Sequence, residues 1–132
     1  MKTSVICLRI AGTISVFFTL FHCLFNKLFN WDLTLSCLSQ SDRAIMLTYH
    51  YICILMVGFM SILLLFQAKQ ILESKIGSSV LIFFSAFYLL RMITEFTLFG
   101  FAGIHSIFIL ILCLIPVILF IIPIIYNLKN IR

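Results

Sequence analysis

Residues 104–126 read IHSIFILILCLIPVILFIIPIIY, and no Lys, Arg, Asp or Glu interrupts them. A helix rises about 1.5 Å per residue, so about 20 mostly apolar residues cross the hydrocarbon of a bilayer. This stretch is long enough and apolar enough to do so. In hydrocarbon no water satisfies backbone N–H and C=O groups, and the segment must pair them internally as a helix. Working outward, three further stretches read the same way, at 10–29, 43–68 and 76–99. The connections are Asn30 to Asp42, Lys69 to Lys75 and Gly100 to Gly103. Short connections place consecutive helices antiparallel. The expected fold is all-α: one transmembrane domain over 1–132, a four-helix up-down bundle with short loops.

Composition agrees. Of the 132 residues, 64% are hydrophobic and 10% are charged, and the mean hydropathy is +1.26. Soluble domains carry about a quarter charged residues. A soluble globular domain and a disordered chain are both excluded. The net charge of +5 raises the question of nucleic acid. The basic residues form no run, however, and stand singly at the ends of apolar segments, where Lys and Arg mark a membrane boundary. The lipid bilayer, and no nucleic acid, is the expected partner.

The same residues set the orientation. Lys2, Arg9, Lys69, Lys75, Lys129 and Arg132 fall on one side, and Lys27 and Arg43 on the other. The positive-inside rule then predicts both termini in the cytoplasm. The expected location is a bacterial cytoplasmic membrane. Lys2 and Arg9 resemble the basic start of a signal peptide, but the apolar run continues to Phe29 and ends in no small-x-small site. It reads as a retained first span. Five cysteines, with no CxxC pair, read as small hydrophobes rather than a disulfide or zinc framework. Ser39 and Asp42 have capping-box spacing before the second span. Trp31 and the alternating Leu33 and Leu35 suit a segment lying along the membrane surface. Pro116 and Pro123 predict a kinked fourth span, for packing or as a hinge.

The polar residues inside the spans carry the functional information, because each costs free energy in hydrocarbon. Gly12, Ser15, Thr19, His22 and Asn26 follow spacings of 3, 4, 3 and 4, which confine them to an arc of about 80°. His50, Cys53, Val57 and Ser61 share a second arc, with Gly58 at its margin. Tyr88, Arg91 and Glu95 share a third, and His105 and Ser106 stand at the entrance of span four. Antiparallel topology brings His22, His50, Arg91, Glu95 and His105 into one layer near the outer leaflet, roughly 6 to 12 Å below the boundary or nearer the surface.

That layer admits several chemistries. Arg91 and Glu95 form an i,i+4 pair, either a neutralised lock on helix register or an anion anchor beside a titrating carboxylate. His22 and His50 read as imidazoles bonded across helices. With Glu95 they form a candidate metal set, with a coordination position left for water or substrate. A haem b held between the two imidazoles is the third reading. Ser15 and Ser61 lie deeper than the histidines, so a Ser–His nucleophile is not favoured. No HExxH, DxxxD or GxGxxG pattern occurs.

The size and span count resemble the small multidrug exporters, which use four short spans and one membrane carboxylate. Those transporters carry the carboxylate in span one. This chain has none there, and its mid-membrane acid is Glu95 in span three; no site residue carries across. Three functions remain as expectations. One is a redox or transport subunit binding a metal, haem or small polar ligand at the polar layer. Another is an interaction or assembly subunit of a larger membrane complex. The third is a proton-coupled transporter working as a homodimer.

Overall fold

A computed structural model describes residues 1–101 and 103–130. Ala102, in the expected last turn, and Arg132, counted among the inner basic residues, lie outside the described residues. The described residues are all helical apart from turns and bends, with no strand. Four helices are long and apolar enough to cross a membrane: α1 (Lys2–Cys23), α4 (Gln40–Phe66), α6 (Gly77–Thr97) and α7 (Ile104–Asn130). Shorter helices connect them: α2 (Phe25–Leu28), α3 (Trp31–Thr34) and α5 (Ala68–Glu73).

The ends of these helices follow local chemistry. α1 stops at Leu24, whose N–H turns back to the Phe21 carbonyl. Asn30 then takes a left-handed backbone, φ 48°, between α2 and α3. Asn tolerates that region better than most side chains. α4 begins where Ser39 accepts the Asp42 N–H at 3.2 Å and donates to the Asp42 carboxylate at 2.7 Å, the cap that the spacing predicted. α7 runs unbroken through Pro116 and Pro123. Both prolines are fully buried, so their rings face neighbouring helices.

One connection differs from expectation. Residues 69–75 read as a short polar link, yet 68–73 form the helix α5, with Ala68, Ile71 and Leu72 buried. The apolar pair Ile71 and Leu72 gains more by packing against α1, α6 and α7 than by lying in a solvated loop. Gly77 permits this closure, because a Cβ there would stand 1.8 Å from the Ile71 carbonyl oxygen.

The long helices pack in a definite order. α1 lies between α4 and α7, and α6 packs along α7. At the α1–α4 contact, a Cβ on Gly12 would lie 3.0 Å from Leu64, and one on Gly58 would lie 3.6 Å from Thr19. His22 and His50 sit 6.3 Å apart at the far end. Between α6 and α7, Glu95 meets Ser106, Phe84 meets Phe120 at 6.4 Å, and Gly77 meets Asn127. The core is Leu8, Ala11, Val57, Met60, Leu64, Leu81, Phe84, Cys113 and Phe120. An apolar cleft of about 400 Å³, lined by Met56, Phe59, Leu63, Val80 and Phe83 among others, separates α4 from α6.

Candidate functional site: a divided polar layer

Four of the five residues expected in the polar layer fall into two separate groups. The first is the ion pair on α6. Arg91 Nη1 lies 2.8 Å from Glu95 Oε2. Glu95 is buried, and its other oxygen accepts from the Ser106 hydroxyl of α7. The carboxylate therefore ties two spans together with both oxygens engaged. Arg91 also leans on Thr94 Oγ1 at 3.5 Å, and its guanidinium carbon stands 4.7 Å from the centre of the Phe99 ring. That ring offers its face to the cation.

The second part is aromatic. His50 is 8% exposed and sits among rings: Trp31 at 4.7 Å, Phe25 at 5.3 Å and His22 at 6.3 Å between centroids. Phe25 in turn stacks on His22 at 4.5 Å. Phe25 lies three residues beyond His22 and meets it at helical spacing, and the left-handed backbone of Asn30 separates α2 from α3, whose Trp31 meets His50. His22 Nδ1 lies 2.7 Å from the Phe18 carbonyl oxygen. A carbonyl only accepts, so the proton of the neutral ring is on Nδ1.

A small cavity joins the two parts. It measures about 40 Å³ and is lined by Phe18 and His22 of α1, Cys53 and Val57 of α4, Phe87, Tyr88 and Arg91 of α6, and Cys113 of α7. Below it, Ser15 donates to the Ala11 carbonyl at 2.9 Å. With its one proton so used, Ser15 accepts from the Tyr88 hydroxyl at 2.7 Å. That bond links α1 to α6.

The structure thus brings His22 to His50, Arg91 to Glu95, and His22 and Arg91 to one cavity. It leaves His105 exposed, and the buried member of that pair is Ser106. The candidate metal set His22, His50 and Glu95 gains no support: among the described residues no three His, Cys, Asp or Glu gather as a metal would require. Haem b gains none either. Phe25 contacts both imidazoles, and the cavity beside them is of water size, far short of a macrocycle.

Sequence reasoning missed Ser106 as the partner of Glu95, and Asn127, which reads as the start of a polar tail. Asn127 is 1% exposed, and its amide nitrogen lies 3.4 Å from the Ile71 carbonyl oxygen. The signal was available, because Phe120, Pro123 and Asn127 continue a 3–4 spacing along one face of α7. Phe25 follows His22 by three residues, so that contact was legible in the spacing; the role of Trp31 carried no such signal, since it lies beyond the left-handed turn at Asn30. The chain matches no protein-family model, no curated protein and no solved structure.

Proposed function

We propose that this chain is a non-catalytic subunit of a membrane complex, and that its polar layer serves to specify how the four spans pack. One observation carries the reading. Both oxygens of the buried Glu95 carboxylate are engaged by Arg91 and Ser106, which leaves that group committed to structure rather than exchange. Polar contacts of this kind between spans are a main source of specificity in hydrocarbon, where apolar surfaces gain little by meeting one another. The connection after α6 is short and that after α4 is packed against the spans, so the proposed recognition of other chains takes place within the bilayer.

The topology proposed with it is up-down, with both termini on the cytoplasmic face of a bacterial membrane. Two lines of support exist. Contacts that advance along α1, from Gly12 to Thr19 to His22, retreat along α4, from Leu64 to Gly58 to His50. Those between α6 and α7 behave alike: Gly77, Phe84 and Glu95 meet Asn127, Phe120 and Ser106. The basic residues outside the spans concentrate on the side that the termini share.

The test is the size of the assembly in its own membrane. The chain, fluorescently tagged and expressed at native level, is counted by single-molecule photobleaching and sized by native electrophoresis after mild extraction. A particle well above the 15.2 kDa chain, keeping a fixed composition, is expected. A monodisperse monomer in the native bilayer overturns the reading.

A further inference from the structure

We propose that the apolar cleft between α4 and α6 holds one acyl chain of an anionic phospholipid, and that Lys75 at its mouth binds the phosphate of that lipid.

The cleft follows from how the spans pair. α4 packs along α1, α6 packs along α7, and α1 meets α7. α4 and α6 follow one another along the chain but scarcely touch. Between them α5 turns its buried Ala68, Ile71 and Leu72 toward α1, α6 and α7. The space left is about 400 Å³, within the roughly 300 to 1,000 Å³ of ordinary ligand pockets. Met56, Phe59 and Leu63 form one wall, and Ile76, Val80 and Phe83 the other. Phe59 and Phe83 are exposed and Phe84 is buried, so the cleft opens outward with Phe84 at its back. Walls left bare would forgo dispersion contacts, and an acyl chain is what the surrounding solvent supplies.

Length selects a lipid over a helix. The lining runs from Met56 to Leu63 on α4 and from Ile76 to Phe84 on α6, about 10 to 12 Å at about 1.5 Å per residue. One leaflet's hydrocarbon is about 15 Å deep, half of the roughly 30 Å bilayer core. Nearer the middle of the spans the gap narrows. There Cys53 and Val57 of α4 and Phe87 and Tyr88 of α6 wall a single cavity of about 40 Å³. A partner's spanning helix needs the whole depth. It also seats itself on small residues, of which the cleft offers Ser79 alone. Met56, unbranched and flexible, suits an adaptable chain instead.

Charge selects which lipid. The cleft begins at the α5 end of the spans, where Leu63 lies one turn before the end of α4 and Ile76 immediately precedes α6. Lys75 adjoins Ile76 and is exposed. At this end Lys69 pairs with Glu73 at 3.7 Å, whereas Asp32, Asp42 and Glu95 stand toward the other end. Among the described residues Lys75 therefore has no acidic partner, and its ammonium sits on a flexible four-carbon stem. α6 has no acidic residue in its first turn, so the positive end of its dipole adds to the attraction. A phosphate at this mouth answers both charges. Neither the orientation of the chain nor its assembly state enters.

The experiment is photocrosslinking of the full chain in phosphatidylcholine bilayers. A small fraction of the lipid carries a diazirine on its acyl chain, on either a phosphatidylglycerol or a phosphatidylcholine headgroup, and adducts are mapped by mass spectrometry. Adducts of the phosphatidylglycerol probe are expected to concentrate on Met56, Phe59, Val80 and Phe83, above Leu55 and Ile82, which are exposed outside the cleft. At those cleft positions its yield should exceed that of the phosphatidylcholine probe. Lys75→Gln should lower that excess about five-fold, the worth of one Lys at an anionic lipid surface, and leave labelling at Leu55 unchanged. Val80→Trp, which fills the cleft, should remove the cleft adducts. Adducts spread evenly over cleft and exposed positions would mean ordinary boundary lipid and overturn the proposal. So would equal labelling by the two probes, or an excess that survives Lys75→Gln. Cleft positions labelled less than Leu55, the result if a protein chain fills the cleft, would overturn it as well.

Discussion

Removing one partner of the Arg91–Glu95 pair should destabilise the bundle, and removing both should restore it. Glu95 has a side chain only 4% exposed, and that of Arg91 is 28% exposed. Breaking a fully buried pair from one side costs about 3 to 5 kcal/mol, because a charge remains without its partner. Arg91→Met strands the more buried member, held then by Ser106 alone, and belongs in that range. Glu95→Leu strands Arg91, whose longer, partly exposed side chain can extend toward the interface. A lost charge-assisted bond, about 1.5 to 3 kcal/mol, is the better guide there. The double variant Arg91→Met with Glu95→Leu leaves no stranded charge, and such replacements are often neutral or stabilising. It should fall within about 1 kcal/mol of the wild type or above it. The coupling energy then amounts to at least about 3 kcal/mol, well beyond the roughly 0.5 kcal/mol within which independent sites add. The assay is equilibrium unfolding in mixed micelles titrated with a denaturing detergent, run on the four members of the cycle. Additive single effects would refute the claim that Arg91 and Glu95 act as one buried, mutually compensating pair.

Other changes test the remaining contacts. Tyr88→Phe deletes the bond to Ser15 and leaves Ser15 still bonded to its own helix; unfolding in the same micelles should show a loss of about 0.6 kcal/mol, and no more than about 1.7 kcal/mol, as for such bonds between spans. Gly12→Val forces a branched side chain into Leu64 and Leu65, both already 3.0 Å from a Cβ at that position, and should cost about 1 to 3 kcal/mol; an unchanged midpoint would mean that α1 and α4 are not so close. Gly77→Ala cannot be accommodated without moving Ile71, so proteolysis within 68–75 should become faster while the spans stay protected. Cys37 is exposed in the connection between α3 and α4, which the proposed topology places outside. A membrane-impermeant maleimide should label intact cells and fail on Cys37→Ser, and labelling that needs permeabilised cells would reverse the orientation.

The sequence by itself determined the class of object and the places of its four long helices. Hydrocarbon tolerates only internally paired backbone, so long uncharged runs leave the chain no other choice. Four long apolar helices were expected and four are present, at Lys2–Cys23, Gln40–Phe66, Gly77–Thr97 and Ile104–Asn130, the first of them beginning earlier and ending earlier than the expected 10–29, and the cap at Ser39 was readable from spacing alone. The Arg91–Glu95 pair was legible for the same reason: four residues apart on one helix, the two side chains meet whatever surrounds them.

Tertiary structure decided what those residues then touch. Residue spacing fixes a helix face but not its rotation against its neighbours or its height beside them. Ser106 rather than His105 reached Glu95 because α7 turned that face inward. His22 and His50 met, but Phe25 and, beyond the left-handed Asn30, Trp31 packed against them, while Glu95 was taken up by Arg91 and Ser106. Residues 68–73 became a packed helix because Ile71 and Leu72 found a surface formed by α1, α6 and α7, two of them distant in sequence, with a glycine at Gly77 to admit them. Such contacts exist only after the chain has closed upon itself, which is why the layer was visible along the sequence and its division was not.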